Sequence, residues 1–215
     1  MVNLREIDGQ PVAFGHQGAV WSDAMTLYDH LTGSVWSQPL SAPIMGSLQD
    51  LELELVPSTM TTWAAWRAQH PETLLYAGDD DAYSSFPTDA DNLEESSILT
   101  DYFDDAVAFP MPDVRAIGVV NETVGGLPIA VVMDPRFEYA WQVFSRELPG
   151  GEEIVLELDD DGMLVDPDTG NRWEPGYGRV ADGTTEVEDL IILPGSTIFT
   201  EQFLDYYPDG RLWSP

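Results

Sequence analysis

Asp29-His-Leu-Thr-Gly-Ser-Val-Trp36 and Asp166-Pro-Asp-Thr-Gly-Asn-Arg-Trp173 repeat one pattern, Asp-x-x-Thr-Gly-x-x-Trp, at a shift of 137 residues. Carried outward at that shift, 29–76 aligns with 166–213 without a gap, and further identities fall at Gly46/Gly183, Leu53/Leu190, Pro57/Pro194, Pro71/Pro208 and Leu75/Leu212. Glycine and proline mark particular backbone conformations, so their coincidence points to a duplicated fold. Each copy opens as a hairpin: Met25–Tyr28 and Ser34–Ser37 around the turn Asp29–Gly33, then Met163–Val165 and Asn171–Trp173 around Asp166–Gly170. Each turn glycine supplies the positive φ that closes such loops. Leu51-Glu-Leu-Glu-Leu55 alternates strictly, which predicts a strand with leucines on one face and glutamates in solvent, ended by Pro57. Ser58–His70 then offers hydroxyl N-caps, a short helical run and a stop at Pro71. Trp66 and His70 share one helix face, and Phe203 and Tyr207 stand at their repeat positions, so His70 reads as a core-edge aromatic. The expected fold class is α+β, mainly β: two tandem repeats of antiparallel strands, each followed by a short helix.

The chain of 215 residues has no lysine and eight arginines against 39 acidic groups, a formal charge of -31. Charge at that density opposes compaction at ordinary ionic strength, where the Debye length is roughly 8–10 Å, and is screened in molar salt, where it falls to about 3 Å. The expectation is therefore a protein of an extreme halophile. With 43% hydrophobic residues and seven tryptophans the chain can fill a core, which sets it apart from acidic disordered sequences. The arginines are scattered singly, so neither nucleic acid nor an anionic membrane is expected as a partner. The absence of cysteine removes disulfides and thiol chemistry. No run has the length of a membrane helix, so no membrane insertion is expected, and the first residues carry no apolar signal segment. A native Met1 implies a cytoplasmic protein, and a removed leader an extracellular one.

The repeat divides the chain into a first copy over 1–76, an acidic linker over 77–113 and a second, complete copy over 114–215. The linker holds eleven acidic groups and no basic one. Tyr83, Phe86, Tyr102 and Phe103 are its expected surface anchors. The second copy opens with a strand-like Val114–Val120, a Gly125-Gly126 turn, a β-rich Ile129–Val132 and an alternating Phe137–Val143. Nothing comparable precedes Arg5 in the first copy, so its sheet is expected to be incomplete and completed in trans. The strands would come from a neighbouring copy, giving a homo-oligomer or fibre, or from a partner chain. Intramolecular rescue by 114–143 or by the linker is the competing expectation.

The segments 121–132 (NETVGGLPIAVV), 28–40 (YDHLTGSVWSQPL) and 55–76 (LVPSTMTTWAAWRAQHPETLLY) resemble signature segments of the uncharacterised prokaryotic family known as domain of unknown function 3179. The resemblance implies a mainly β, often duplicated fold, and brings no established activity. Many members carry a Cys-Pro-x-x-Cys-Gly segment after the Gly-Gly-x-Pro element, which would suit a metal or redox role. Here the corresponding Val131–Arg136 has no thiol.

Candidate chemistry is sparse. No GxSxG elbow exists, and His16, His30 and His70 sit in unlike contexts, so no catalytic residue or cofactor is assigned. His16, in Phe14-Gly-His-Gln-Gly18, is the most isolated of the three. Asp159, Asp161, Asp166 and Asp168, clustered around Gly162 and Gly170, offer oxygens that suit Ca²⁺, but a twelve-residue calcium loop is missing. Plain hairpin turns are the competing reading, with exchangeable Na⁺ or K⁺ on the carboxylates. Trp36 and Trp173 recur and read as core, while Trp21 and Trp141 are the candidates for exposed use. The expected function is that of a non-enzymatic structural or interaction protein, with a small-ligand or Ca²⁺-binding module as the alternative.

Overall fold

The computed structural model describes residues 2–75, 93–182 and 187–215. In chain order the first copy forms β1 (Glu6–Ile7), β2 (Gln10–Pro11), β3 (Phe14–Trp21), β4 (Ala24–Asp29), β5 (Val35–Ser37), β6 (Ala42–Met45) and helix α1 (Trp63–Gln69). A middle region follows: β7 (Ser96–Tyr102), β8 (Asp105–Pro110), α2 (Met111–Ile117), β9 (Val119–Val124), β10 (Leu127–Met133) and β11 (Trp141–Ser145). The second copy continues with β12 (Glu157–Leu158), β13 (Leu164–Val165), β14 (Arg172–Trp173), β15 (Val180–Asp182) and β16 (Ser196–Phe199). A 3₁₀ turn (Thr200–Gln202), α3 (Phe203–Tyr206) and β17 (Arg211–Leu212) end it. The mainly β, α+β class holds. The sheets run β3-β4-β5-β6, β12-β13-β14-β15, β11-β10-β9 and β16-β7-β8-β17, with β1-β2 as a separate ribbon; every pairing is antiparallel except β8 with β17.

The repeated pattern folds the same way twice. The fully buried Asp29 carboxylate accepts bonds from the Leu31 and Thr32 N–H groups, the Thr32 hydroxyl and the Trp36 indole. Asp166, also buried, accepts from the Asp168 N–H and the Thr169 hydroxyl. Gly33 and Gly170, both at φ 75°, donate to the Asp29 and Asp166 carbonyls, and Trp36 and Trp173 fill the cores beneath. The correspondence extends to single backbone bonds. Leu53 donates to Ser41 as Leu190 does to Gly178, and His70 to Trp66 as Tyr207 does to Phe203. Helix α1 starts where Thr62 accepts from the Ala65 N–H at 3.2 Å and ends at His70, before Pro71.

Three expectations change. Leu51–Leu55 keeps its alternating burial but forms only an extended segment, bridged to Asn3 through Leu55. Val114–Val120 is helical through Ile117 and becomes strand at Val119. The linker does not run over the surface in its described part: Ser96–Tyr102 and Asp105–Pro110 form a buried hairpin at the centre of the largest core, with Ile98, Val107 and Phe109 fully enclosed. Its acidic groups mislead because Asp101, Asp104 and Asp105 gather at the tip, where Phe103 (φ 51°) and Asp104 (φ 64°) make a two-residue turn of primed type. Tyr102 is buried, Phe103 is exposed, and Tyr83 and Phe86 lie outside the described residues.

The first copy is also less truncated than expected. Val2 and Leu4 pair with Val56 and Glu54 through the same backbone bonds by which Val143 and Ser145 pair with Leu193 and Ile191. Arg5 donates to the Val12 carbonyl as Arg146 donates to Ile154. Among the described residues the first copy has no counterpart of the β7-β8 hairpin, which pairs with β16 and β17 in the second. Met60, the counterpart of Thr197, makes a single bridge to Trp141 at the start of β11, a strand that also pairs through Phe144 with the second copy. Part of the 114–143 region is thus shared between both copies. Among the described residues no strand pairs with Leu74 and Leu75, the counterparts of Arg211 and Leu212, and both are exposed.

Candidate functional site

The two copies meet across a junction rich in polar groups. Gln69, at the end of α1, donates to Glu174 at 2.8 Å. Arg136 makes two bonds to the Asp134 carboxylate, through Nε at 2.9 Å and a terminal nitrogen at 2.8 Å, and reaches Glu174 at 3.4 Å. The Asp134 side of this network holds the Arg136 guanidinium above its ordinary value, through its hydrogen bond first and its charge after the opposing effect of burial. Segment 131–136, where the family resemblance implies cysteines, therefore carries an ion-pair network internal to the second copy, which holds the Glu174 carboxylate that Gln69 of the first copy reaches. His70 stacks on Trp66 with ring centroids 4.1 Å apart and faces Tyr177 edge-on at 6.1 Å, the core-edge aromatic its repeat position predicts.

A second contact joins α3 to the first copy. The Tyr206 hydroxyl donates to the Ser22 carbonyl, Tyr207 donates to Pro39 at 3.0 Å, and Trp21 packs edge-on against Tyr206 at 5.7 Å. Beside this contact lies a groove of about 300 Å³ between β4 and β16. Trp21 is partly exposed, in line with its expected surface use, whereas Trp141 is buried at the centre of the molecule.

Three of the four candidate metal residues, Asp159, Asp161 and Asp166, have carboxylates engaged in local bonds. Asp159 and Asp161 both bind the Arg172 guanidinium, at 2.6 and 3.0 Å, and Asp159 also accepts the Asp161 and Met163 N–H groups across the β12-β13 turn. Those bonds hold Asp159 below the usual carboxylate range, the Met163 N–H being the strongest influence. Asp166 caps the next turn, whose backbone includes Asp168. Among the described residues no group of three or more His, Asp or Glu stands together in an arrangement suited to a metal. His16 is likewise engaged in local structure. Its Nδ1 accepts the Gly18 N–H at 3.0 Å inside an irregularity of β3, which Thr26 steadies from β4 by donating to Gln17 and the Ala19 carbonyl.

What sequence inspection missed is the outer edge of β3. This is the longest strand, it ends its sheet, and six of its eight residues are exposed, yet Phe14-Gly-His-Gln-Gly-Ala-Val-Trp21 carries no formal charge in a chain of -31. The lack of charge was visible in the sequence; the edge position was not.

The family model described as "Protein of unknown function (DUF3179)" matches residues 1–92; segments 28–40 and 55–76 fall inside the match and segment 121–132 lies outside it. No curated protein matches the chain, and no solved structure does. No described helix is long and apolar enough to cross a membrane.

Proposed function

We propose that this is a non-enzymatic interaction protein of an extreme halophile, and that it assembles with a second copy of itself through the outer edge of β3. The carrying observation is that uncharged, exposed edge. Edge strands offer unpaired N–H and C=O groups to any passing strand, and proteins blunt them with charges, prolines or bulges. Here the irregularity between His16 and Val20 is the sole device of that kind on the strand, at its middle. The apolar surface is distributed in the same sense. Among the described residues, 2–75 supply ten of the seventeen exposed large hydrophobics, Val20 at 69% among them, but five of the thirty-four buried apolar residues. A neutral edge on so acidic a chain directs association to that edge once salt screens the rest.

The test is light scattering behind size exclusion in molar KCl. A concentration-dependent dimer is expected, reduced to monomer by Val20→Asp and unchanged by Val155→Asp, an exposed position outside β3. A monomer at every concentration from micromolar upward contradicts the proposal.

A further inference from the structure

The open side of β16 is a second strand edge with a different character. β16 ends the sheet β16-β7-β8-β17. The bond from the Thr200 N–H to the Glu95 carbonyl sets the alternation along the β16-β7 pair, so the N–H and C=O of Thr197 and the N–H of Phe199 point away from β7, while the Phe199 carbonyl caps the 3₁₀ turn that follows. No backbone bond from another described strand or loop meets the three open groups. They face the 300 Å³ groove, whose opposite wall is the start of β4 at Ala24 and Met25. There β4 has run past its last pair with β5, Thr26 opposite Ser37. Two sheets thus present open strand ends to one gap. The volume sits at the small end of ligand-pocket sizes and suits a short stretch of extended chain.

The walls specify the occupant. Met25, Pro39 and Phe199 make an apolar lining, and both Met25 and Phe199 are more than a third exposed. Asp23 lines the rim, no Arg does, and burial together with the charges of Asp23 and Asp205 holds the Tyr206 phenol above its usual range. We infer that this groove is a strand-addition site for an extended segment of a separate partner polypeptide, one that carries alternate apolar side chains and a basic residue. The segment would add to β16 by main-chain hydrogen bonds, place an apolar side chain against Met25 and Phe199, and set its cation beside Asp23. A second copy of this chain is a poor fit, because its exposed, uncharged strand Phe14–Trp21 brings no cation to set beside Asp23. The inference rests on the reading of the chain as an interaction protein but uses a different edge from β3.

The experiment is fluorescence anisotropy in molar KCl with the full chain and three labelled, end-capped hexapeptides. These are alternating Val-Arg, alternating Val-Glu, and the Val-Arg peptide with alternate backbone nitrogens methylated. The Val-Arg peptide is expected to bind at least tenfold more tightly than either other peptide. Met25→Trp, which fills the groove without changing charge, should weaken it by a similar factor, and Val155→Trp should not. Equal binding of the methylated peptide overturns strand addition. Equal binding of the Val-Glu peptide overturns the charge assignment, and no binding of any peptide, or no effect of Met25→Trp, overturns the site. Loss of self-association in Phe199→Asp, on the β16 wall, would make the occupant a second copy and likewise overturn the inference. Failure of peptide binding with the β3 dimer intact sinks the groove alone, and peptide binding by a strict monomer sinks the β3 reading alone.

Discussion

Asp29 shows how one side chain sets a turn. Burial raises the carboxylate pKa, but the bonds from the Trp36 indole, the Thr32 N–H and hydroxyl and the Gly33 N–H outweigh it and hold it below the ordinary aspartate value. A lowered folded-state pKa contributes stability that is fully present above the unfolded value, near 3.8, and is lost as pH falls through the folded one. Asp29→Asn should therefore cost about 1–2 kcal/mol at neutral pH, and the difference from wild type should shrink as pH approaches 3; denaturant titrations at several pH values check both parts. Gly125 is a stricter case. Its φ is 56°, a Cβ there would stand 2.0 Å from the Tyr102 carbonyl oxygen, and its N–H donates to Asp105 at 2.8 Å. Gly125→Ala must displace backbone, not a flexible side chain, and is expected to lower stability by about 3 kcal/mol or more in urea unfolding. The backbone demand of this glycine was legible from the Gly125-Gly126 pair; the neighbour that enforces it was not, because the β7-β8 turn lies more than twenty residues away in sequence.

Among elements, the β7-β8 hairpin separates what the sequence makes legible from what it hides. Hairpins closed inside one pattern, such as β4-β5 and β13-β14, follow from turn residues a few positions apart. β7-β8 belongs to no repeat pattern, and its acidic tip outweighs its buried strands in any reading by composition. That tip also opposes the first copy electrostatically. Burial raises the pKa of Asp101, with further contributions from Asp104 and Asp105, and burial likewise raises Glu52, with Asp101 and Asp104 adding to it. A raised carboxylate destabilises the folded state when ionised, so the cost is present at neutral pH and is relieved as pH falls through the folded-state value. Asp101→Asn should raise the melting temperature at neutral pH and at the lowest KCl concentration that keeps the chain folded, and the gain should diminish at higher KCl and at mildly acidic pH. An equal gain in all three conditions would show that packing, not charge, is responsible.

At the scale of the whole molecule, five of the eight arginines are held in ion pairs among the described residues, against 39 acidic groups. Stability should accordingly rise steeply with KCl, read from the tryptophan emission maximum, and dialysis into dilute buffer should unfold the chain. A native spectrum at millimolar salt would contradict the proposed adaptation to brine. The duplication was legible down to single positions because turn residues specify backbone geometry, whereas the unprotected edge emerged only when the sheet order placed β3 at the end of its sheet. The most direct test of assembly through that edge is amide hydrogen exchange by mass spectrometry in molar KCl, at low and high protein concentration. Peptides covering Phe14–Trp21 should gain protection as concentration rises while those covering β13 and β14 do not. Exchange over Phe14–Trp21 that is independent of concentration, in a preparation that light scattering shows to be associated, would place the interface elsewhere and contradict the account.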